Sequence, residues 1–190
     1  MPNHFTIIAF IFALFAPLLD ATKLRSWQTG SYSGIIPAER IQHSLTSSGG
    51  SVYVFGGLAN GGVRRNDLHS FNPVSKAWTD LSESIQGTPP DPRDSNGIAS
   101  LGGGVYVFGG RGNAGNLNDL WVVNLRALTW TDLSSSISGA IPVARSAMGM
   151  NSVGEKLYVF GGLGTALLND LWAFDPESAT WTELDSAMTG

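Results

Sequence analysis

The chain has 190 residues, of which 43% are hydrophobic and 14% are charged, with a formal net charge of −4 and no cysteine. This composition excludes a disordered chain. The basic residues are scattered, with only Arg64 and Arg65 adjacent, so no basic stripe is present for binding nucleic acid. The lack of cysteine excludes disulfides, thiolate chemistry and cysteine-ligated metals.

Residues 1–21 differ from the rest because their central part, residues 5–19, is almost free of polar side chains. This run is shorter than the about 20 residues of a membrane-spanning helix, and Pro17 interrupts it. We therefore predict a secretory signal peptide ending at Ala21, and a protein of the secretory pathway or the exterior. The absence of Lys and Arg before residue 5 leaves an alternative, in which residues 5–19 are an uncleaved anchor that attaches the protein to a membrane.

Residues 22–36 match the end of a pattern that follows three times, over residues 37–89, 90–141 and 142–190. Each copy has a Pro followed three residues later by an Arg, then an apolar run ending in Gly-Gly, then Asn-Asp-Leu, then a Trp. The landmark residues are Arg40, Arg93 and Arg145; Gly56, Gly57, Gly109, Gly110, Gly161 and Gly162; and Trp78, Trp130 and Trp181. Repeats of this length indicate a repeat architecture.

Each copy predicts four β-strands, because short runs rich in Val, Tyr, Phe and Trp alternate with turns rich in Gly, Asn, Pro and Ser. In the first copy the strands lie near residues 43–48, 52–57, 67–72 and 76–81. The run "VYVF" has no polar alternation, so we expect both faces of its sheet to be covered. Sheets covered on both sides stack flank to flank, as blades around an axis.

The repeated residues predict structural roles. The glycine pair is expected to end the second strand, where a side chain has no room or φ is positive. The Trp offers an apolar plate between neighbouring blades. The Asn-Asp pair is expected to start the third strand through its side-chain oxygens. The Arg is expected to tie one blade to the next through carbonyls or an acidic partner.

Over residues 27–190 these motifs resemble the kelch repeat family. The resemblance implies an all-β protein, a kelch-type β-propeller fragment of about three four-stranded blades plus an N-terminal closing strand at Trp27. Three blades do not close a ring, because propellers have about four to eight. We expect a fragment of a longer protein, and the alternative is that two copies join through their exposed end blades.

The sequence predicts no enzyme, no catalytic residue, no cofactor and no metal site. His4, His43 and His69 are not at equivalent repeat positions, and no standard catalytic or phosphate-binding spacing occurs. Copper radical oxidases with kelch-like propellers use a Cys-Tyr cross-link, and this chain has no Cys. The alternative is a fragment of a kelch-like enzyme whose catalytic residues lie in blades that the sequence does not include.

The loops between second and third strands differ among the copies and are the expected place for function. Arg64, Arg65 and Arg111 are cations on two of these loops without equivalents in the other copies. The sequence favours solvated surface charges, and the alternative is that they receive an acidic segment of a partner. The resemblance implies a non-enzymatic interaction module, and the expected partner is another protein, with self-association through the end blades as a further expectation and membrane contact only through an uncleaved anchor.

Overall fold

A computed structural model describes residues 30–184 of the chain. Contacts divide the chain into a unit of residues 1–31 and a unit of residues 32–190, and the following concerns the second unit. The predicted signal peptide and the predicted strand at Trp27 lie outside the described residues. The strands are β1 Ser33–Gly34, β2 Arg40–Ile41, β3 Ser44–Ser48, β4 Ser51–Ala59, β5 Val63–Asn72, β6 Ala77–Asp80, β7 Gly97–Leu101, β8 Gly104–Gly112, β9 Gly115–Asn124, β10 Thr129–Asp132, β11 Gly149–Val153, β12 Lys156–Leu163, β13 Leu167–Asp175 and β14 Thr180–Glu183.

The strands form three four-stranded antiparallel meanders, which confirms the predicted fold class. Blade 1 contains β3–β6, blade 2 contains β7–β10, and blade 3 contains β11–β14. In blade 1, β2 also pairs with the end of β4, and β1 pairs in parallel with β6. Short 3-10 turns lie at Asn60–Gly62 and Ser134–Ser136. The first strands of the three blades lie side by side, with β7 in contact with both β3 and β11, so the blades are arranged around a common axis.

Two apolar seams hold the blades together, one on each side of blade 2. The seam between blades 1 and 2 contains Phe55, Leu68, Ile85, Ile98, Val105, Val107, Val123 and Trp130. The seam between blades 2 and 3 contains Ala99, Phe108, Leu120, Met148, Leu157, Val159, Trp172, Phe174 and Trp181. Val107 and Phe108 are adjacent on β8, point to opposite faces and are both 0% exposed, so the central sheet is covered on both sides.

Hydrogen bonds next to the axis link the blades in series. The Ser95 N–H donates to the Gln42 carbonyl at 2.8 Å, and the Ala147 N–H donates to the Ser95 carbonyl at 2.8 Å. These three residues occupy the same position of successive repeats and all have a positive φ of about 55°. The left-handed backbone therefore turns the carbonyls of Gln42 and Ser95 toward the next blade. Each repeat thus supplies the same hydrogen bond to the blade that follows it.

The glycine pairs do not end the second strand, contrary to the sequence prediction. In blade 1, β4 continues past Gly56 and Gly57 to Ala59, with a shift of register between Phe55 and Gly57. The glycines form a β-bulge in which both φ angles are positive, at 63° and 98°. A Cβ on Gly56 would lie 2.8 Å from the carbonyl oxygen of Arg93 in the linker to blade 2. Glycine is thus required by the close approach of the next blade.

Candidate interaction surface

The repeated arginine is buried and binds within its own blade. Arg93 is 1% exposed, and its guanidinium donates to both carboxylate oxygens of Asp119 at 2.6 and 2.8 Å and to the Gly109 carbonyl at 3.0 Å. The same pairs recur as Arg40–Asp67 and Arg145–Asp170. A two-pronged Arg–carboxylate pair fixes the angle between two segments as well as their distance.

The backbone of the arginine, rather than its side chain, joins neighbouring blades. The Arg93 N–H donates to the Arg65 carbonyl at 2.9 Å, and the Arg93 carbonyl accepts from the Gly57 N–H at 2.9 Å, both in blade 1. The Arg145 backbone makes the equivalent bonds to Leu117 and Gly110 of blade 2. The prediction that the arginine side chain reaches across the seam is therefore wrong, because the side chain anchors a linker whose backbone makes the crossing.

The Asn-Asp pair also differs from its predicted role. Strand β5 begins at Val63, before Asn66 and Asp67. The Asn66 side-chain amide donates to the Pro90 carbonyl at 3.0 Å, in the linker to blade 2. The Asp67 carboxylate accepts two hydrogen bonds from the Arg40 guanidinium. Asn66 thus contacts the linker that leads to the next blade, and Asp67 binds the arginine of the linker that precedes its own blade. These contacts explain why both residues recur although they do not start a strand.

The pKa values of Asp67 and Asp170 follow from these contacts. Burial of Asp67 disfavours its charged form, but the hydrogen bonds and charge of Arg40 and the contact with His69 outweigh it and hold the pKa below its ordinary value. Hydrogen bonding from Arg145, with a further bond from the Trp172 indole, likewise lowers the pKa of Asp170 against the opposing effect of burial. Both carboxylates are therefore charged at neutral pH.

The three repeated tryptophans do not have identical surroundings. The Trp130 ring lies 5.6 Å from the Phe55 ring across one seam, and the Trp181 ring lies 5.1 Å from the Phe108 ring across the other. Trp78 is half-buried and contacts Phe71 of its own blade, with centroids 4.9 Å apart. Trp130 and Trp181 are therefore plates between blades, whereas Trp78 has no blade against it within residues 30–184.

Two of the three predicted binding cations converge on one carboxylate at the seam between blades 1 and 2. Arg64 Nε lies 2.7 Å from Asp94 Oδ2, and an Nη atom of Arg111 lies 3.3 Å from Asp94 Oδ1. Asp94 is 0% exposed, whereas the side chains of Arg64 and Arg111 are 19% and 47% exposed. Arg64 also donates to Asn113 Oδ1 at 3.3 Å. We call Arg64, Asp94 and Arg111 the seam cluster.

Asp94 was missed by sequence reasoning, although a signal for it was present. It follows the repeated Arg93 directly, where the other copies have Ile41 and Ser146. Its backbone exchanges hydrogen bonds with Arg111, at 3.1 and 2.8 Å, which places the two side chains together. The sign in the sequence was that an acid stands where the other copies have an apolar or a small residue, just as Arg64 and Arg111 lack equivalents in the other copies.

Arg65 belongs to a different surface. It is adjacent to Arg64 on β5, so its side chain points to the opposite face of the sheet. There it lines a shallow pocket of about 320 Å³ together with Ala38, Glu39, Ala59 and Asn60. The structure therefore brings together Arg64 and Arg111 and leaves Arg65 apart from them.

His43 and His69 have different environments. His43 is exposed, whereas His69 is 3% exposed and stands where the other blades have Trp121 and Trp172. His69 Nε2 lies 3.0 Å from Asp67 Oδ2. In the same way, the indole nitrogens of the two tryptophans donate to the equivalent aspartates of their own blades, at 2.7 and 2.8 Å. Residues 30–184 contain no group of three or more His, Cys, Asp or Glu arranged to hold a metal ion. No helix in this part of the chain is long and apolar enough to cross a bilayer.

Comparison with known proteins agrees with the repeat geometry. Residues 17–189 match the model of the KLHDC2/KLHL20/DRC7 Kelch-repeats domain. Kelch domain-containing protein 3 from Bos taurus is 32% identical over 175 residues, covering 84% of this chain and 44% of that protein. Kelch domain-containing protein 10 from Rattus norvegicus is 30% identical over 165 residues, covering 83% of this chain and 40% of that protein.

A third relative, leucine-zipper-like transcriptional regulator 1 from Pongo abelii, is 35% identical over 163 residues, covering 78% of this chain and 18% of that protein. The chain thus spans less than half the length of each of these relatives. Its three four-stranded blades, their bulged glycine pairs and their buried Arg–Asp pairs occur in the part that the family model covers. The chain belongs to the kelch-repeat family.

Proposed function

We propose that this chain is a non-enzymatic protein-interaction module, and that the seam cluster receives an acidic segment of a partner protein. The supporting observation is the convergence of Arg64 and Arg111 on the single carboxylate of Asp94. Two guanidinium groups against one carboxylate leave an excess positive charge at the seam. A carboxylate of the partner would complete the pairing.

Arg111 is the group most suited to contact the partner. Its side chain is 47% exposed, and its 3.3 Å contact with Asp94 is longer than the 2.7 Å contact of Arg64. A guanidinium group has five N–H donors. Arg111 can therefore maintain its ion pair with Asp94 and still direct N–H donors toward solvent. Arg64, at 19% exposure, fixes the position of Asp94 and contributes charge.

The loops around the seam cluster suit recognition because they differ between blades. The turn between β4 and β5 contains Gly61 and Gly62, both with a φ of 76°, and β9 begins directly after the next such turn with Gly115, at 135°. Binding residues lie disproportionately on variable loops that a rigid scaffold positions. Family membership supports the same role, since kelch-repeat domains commonly bind other proteins.

The experiment measures binding of a fluorescent oligoglutamate peptide to the purified chain by polarisation, over a range of salt concentrations. Arg111→Gln should weaken binding about tenfold or more and reduce its salt dependence. Arg126→Gln is the matched control, because Arg126 is an exposed arginine on the turn after β9. Equal binding by both variants, or equal binding of an oligolysine peptide, would remove the seam cluster from the proposal.

We also propose that residues 1–21 route the protein to the secretory pathway. The proposal rests on the apolar run at residues 5–19 and the small residue Ala21 that follows it. Mass spectrometry of the N-terminus of protein expressed in a secreting cell tests it. A mature chain starting at Thr22 is expected, and a membrane-bound chain that still starts near Met1 would favour the anchor instead.

A further inference from the structure

The face of blade 3 that points away from blade 2 is apolar and exposed. We call it the blade 3 end face, formed by Phe160 and Leu167, which are 56% and 86% exposed. Phe160 occupies the position of Phe55 and Phe108, which are both 0% exposed because the tryptophan of the next blade covers them. The blade 3 end face is therefore one half of a blade–blade seam.

The opposite half of a seam is exposed on blade 1. We call it the blade 1 end face, formed by Tyr32, Ile41, Leu45 and Trp78; the first three are 52%, 63% and 58% exposed, and Trp78 is half-buried. Ile98, which is equivalent to Leu45, is 7% exposed because it packs in the seam with blade 1. The two end faces thus carry the two complementary parts of the same interface.

The chemistry of one pair of positions distinguishes the three possible seams. Between blades 1 and 2, Arg64 of β5 contacts Asp94 of the next linker, which is an ion pair. Between blades 2 and 3, the equivalent Asn116 donates to the Leu163 carbonyl at 2.8 Å.

The Ser146 N–H, at the position of Asp94, donates to the same carbonyl at 3.0 Å. The corresponding residues of the two end faces are Leu167 on blade 3 and Ile41 on blade 1. The side chains at these two positions are therefore both charged in the first seam, both polar in the second, and both apolar on the two end faces.

From this match we infer that the blade 3 end face binds the blade 1 end face of a second copy of the chain. Trp78 of one copy covers Phe160 of the other, as Trp130 covers Phe55 within the chain. Leu167 meets Ile41. The contact continues the interface that the chain already repeats twice, and no new geometry is needed.

The backbone can extend the same pattern. Within the chain the Arg145 N–H donates to the Leu117 carbonyl, and the Gly110 N–H donates to the Arg145 carbonyl. The equivalent groups at the end faces are the Leu168 carbonyl and Gly162 N–H on blade 3 and the backbone of Arg40 on blade 1. A Cβ on Gly162 would already lie 2.7 Å from the Ser146 carbonyl oxygen, so the bulge is formed before a neighbour binds.

Two copies make this contact twice, because each has one blade 1 end face and one blade 3 end face. Head-to-tail contacts close into a ring when the rotation per unit allows it and otherwise give open polymers. Two copies supply six blades, within the about four to eight that propellers contain. The proposal involves neither Arg111 nor the acidic peptide, so it stands or falls separately from the proposed function.

Sedimentation velocity of the purified chain over a range of concentrations tests the proposal, with circular dichroism as the check of folding. We expect the chain to sediment as a species of twice the mass of one chain. Leu167→Arg alone and Ile41→Asp alone should each raise the dissociation constant about tenfold or more, because each places an unpaired charge in the contact. Both residues are largely exposed in one copy, so neither change disturbs the core.

Mixing the two variants gives the decisive result. A mixed pair has an Arg–Asp contact at one junction, like Arg64–Asp94, and the original Leu–Ile contact at the other, so mixing should restore association. Val74→Arg is the matched control, because Val74 is 90% exposed in the turn between β5 and β6 and is not one of the residues that form either end face.

A chain that stays monomeric at all concentrations would overturn the proposal and favour another cover, such as a blade of a longer polypeptide. A mass that keeps growing would show open polymers and overturn the closed pair. Failure of the mixed variants to associate would overturn the assigned contact.

Discussion

Trp181 of blade 3 lies 5.1 Å, between ring centroids, from Phe108 of blade 2 and the same distance from Phe174 of its own blade. The indole therefore belongs equally to two sheets. Trp130 has the corresponding position in the other seam, 5.6 Å from Phe55. This repeated ring contact, together with the backbone bonds of the linkers, gives each blade its attachment to the next.

Removing the covered phenylalanine should destabilise the protein. Phe108→Ala is expected to lower the free energy of unfolding by about 3–5 kcal/mol, because the ring is fully buried and a cavity remains. Phe160→Ala, at the same repeat position but 56% exposed, is the matched control and should have a much smaller effect. Urea unfolding in the Leu167→Arg background, which keeps copies apart, measures both; equal losses would contradict the seam.

The buried Arg–Asp pair should be sensitive to loss of one partner. Arg93→Met leaves Asp119 without its cation and the Gly109 carbonyl without a donor, so we expect a loss of about 3–5 kcal/mol in unfolding free energy. Arg126→Met on an exposed turn should change it by less than about 0.5 kcal/mol. Calorimetric melting of the two variants separates these outcomes, and similar melting temperatures would argue against the pair as an anchor.

Gly102 and Gly109 have nearly the same φ, so substituting each in turn separates the cost of a positive φ from the cost of a collision. Gly102→Ala is expected to lower stability by about 1–2 kcal/mol, since its φ is 59° and nothing lies within 4 Å of an added Cβ. Gly109→Ala has a φ of 55° but also collides with the carbonyl oxygens of Arg145 and Leu117 at 2.9 Å. It should lose about 1–3 kcal/mol more. Denaturant unfolding of both variants tests this, and equal losses would mean that the bulge can relax away from the linker.

Stability should fall on acidification because the folded-state pKa values of Asp67 and Asp170 are lowered. A lowered folded pKa means that the stabilisation is present above the unfolded value of about 4 and is lost as the pH falls through the folded value. Asp170→Asn should remove part of this dependence. Urea unfolding as a function of pH tests it; an unchanged slope below about pH 4 in the variant would exclude Asp170 as a contributor.

The repeat landmarks predicted the strands because the same residue types are needed at the same structural positions in every blade, and so they recur at a constant spacing. The direction in which the contacts cross the seam was not predictable in this way. An arginine would recur at the position of Arg93 whether its side chain or its backbone contacted the neighbouring blade. Only the structure distinguishes these two possibilities. Asp94 occurs once, so repetition could not reveal it, and its pairing with Arg64 depends on which face of β5 each residue occupies.

The central claim is that the sheets pack face to face, with each tryptophan between two blades. Nuclear Overhauser contacts from the Trp181 indole test it most directly, since the rings of Phe108 and Phe174 are equally distant at 5.1 Å. The structure predicts cross-peaks of similar intensity to both rings. Cross-peaks to Phe174 alone would mean that Trp181 packs only within its own sheet and would contradict the stacked arrangement.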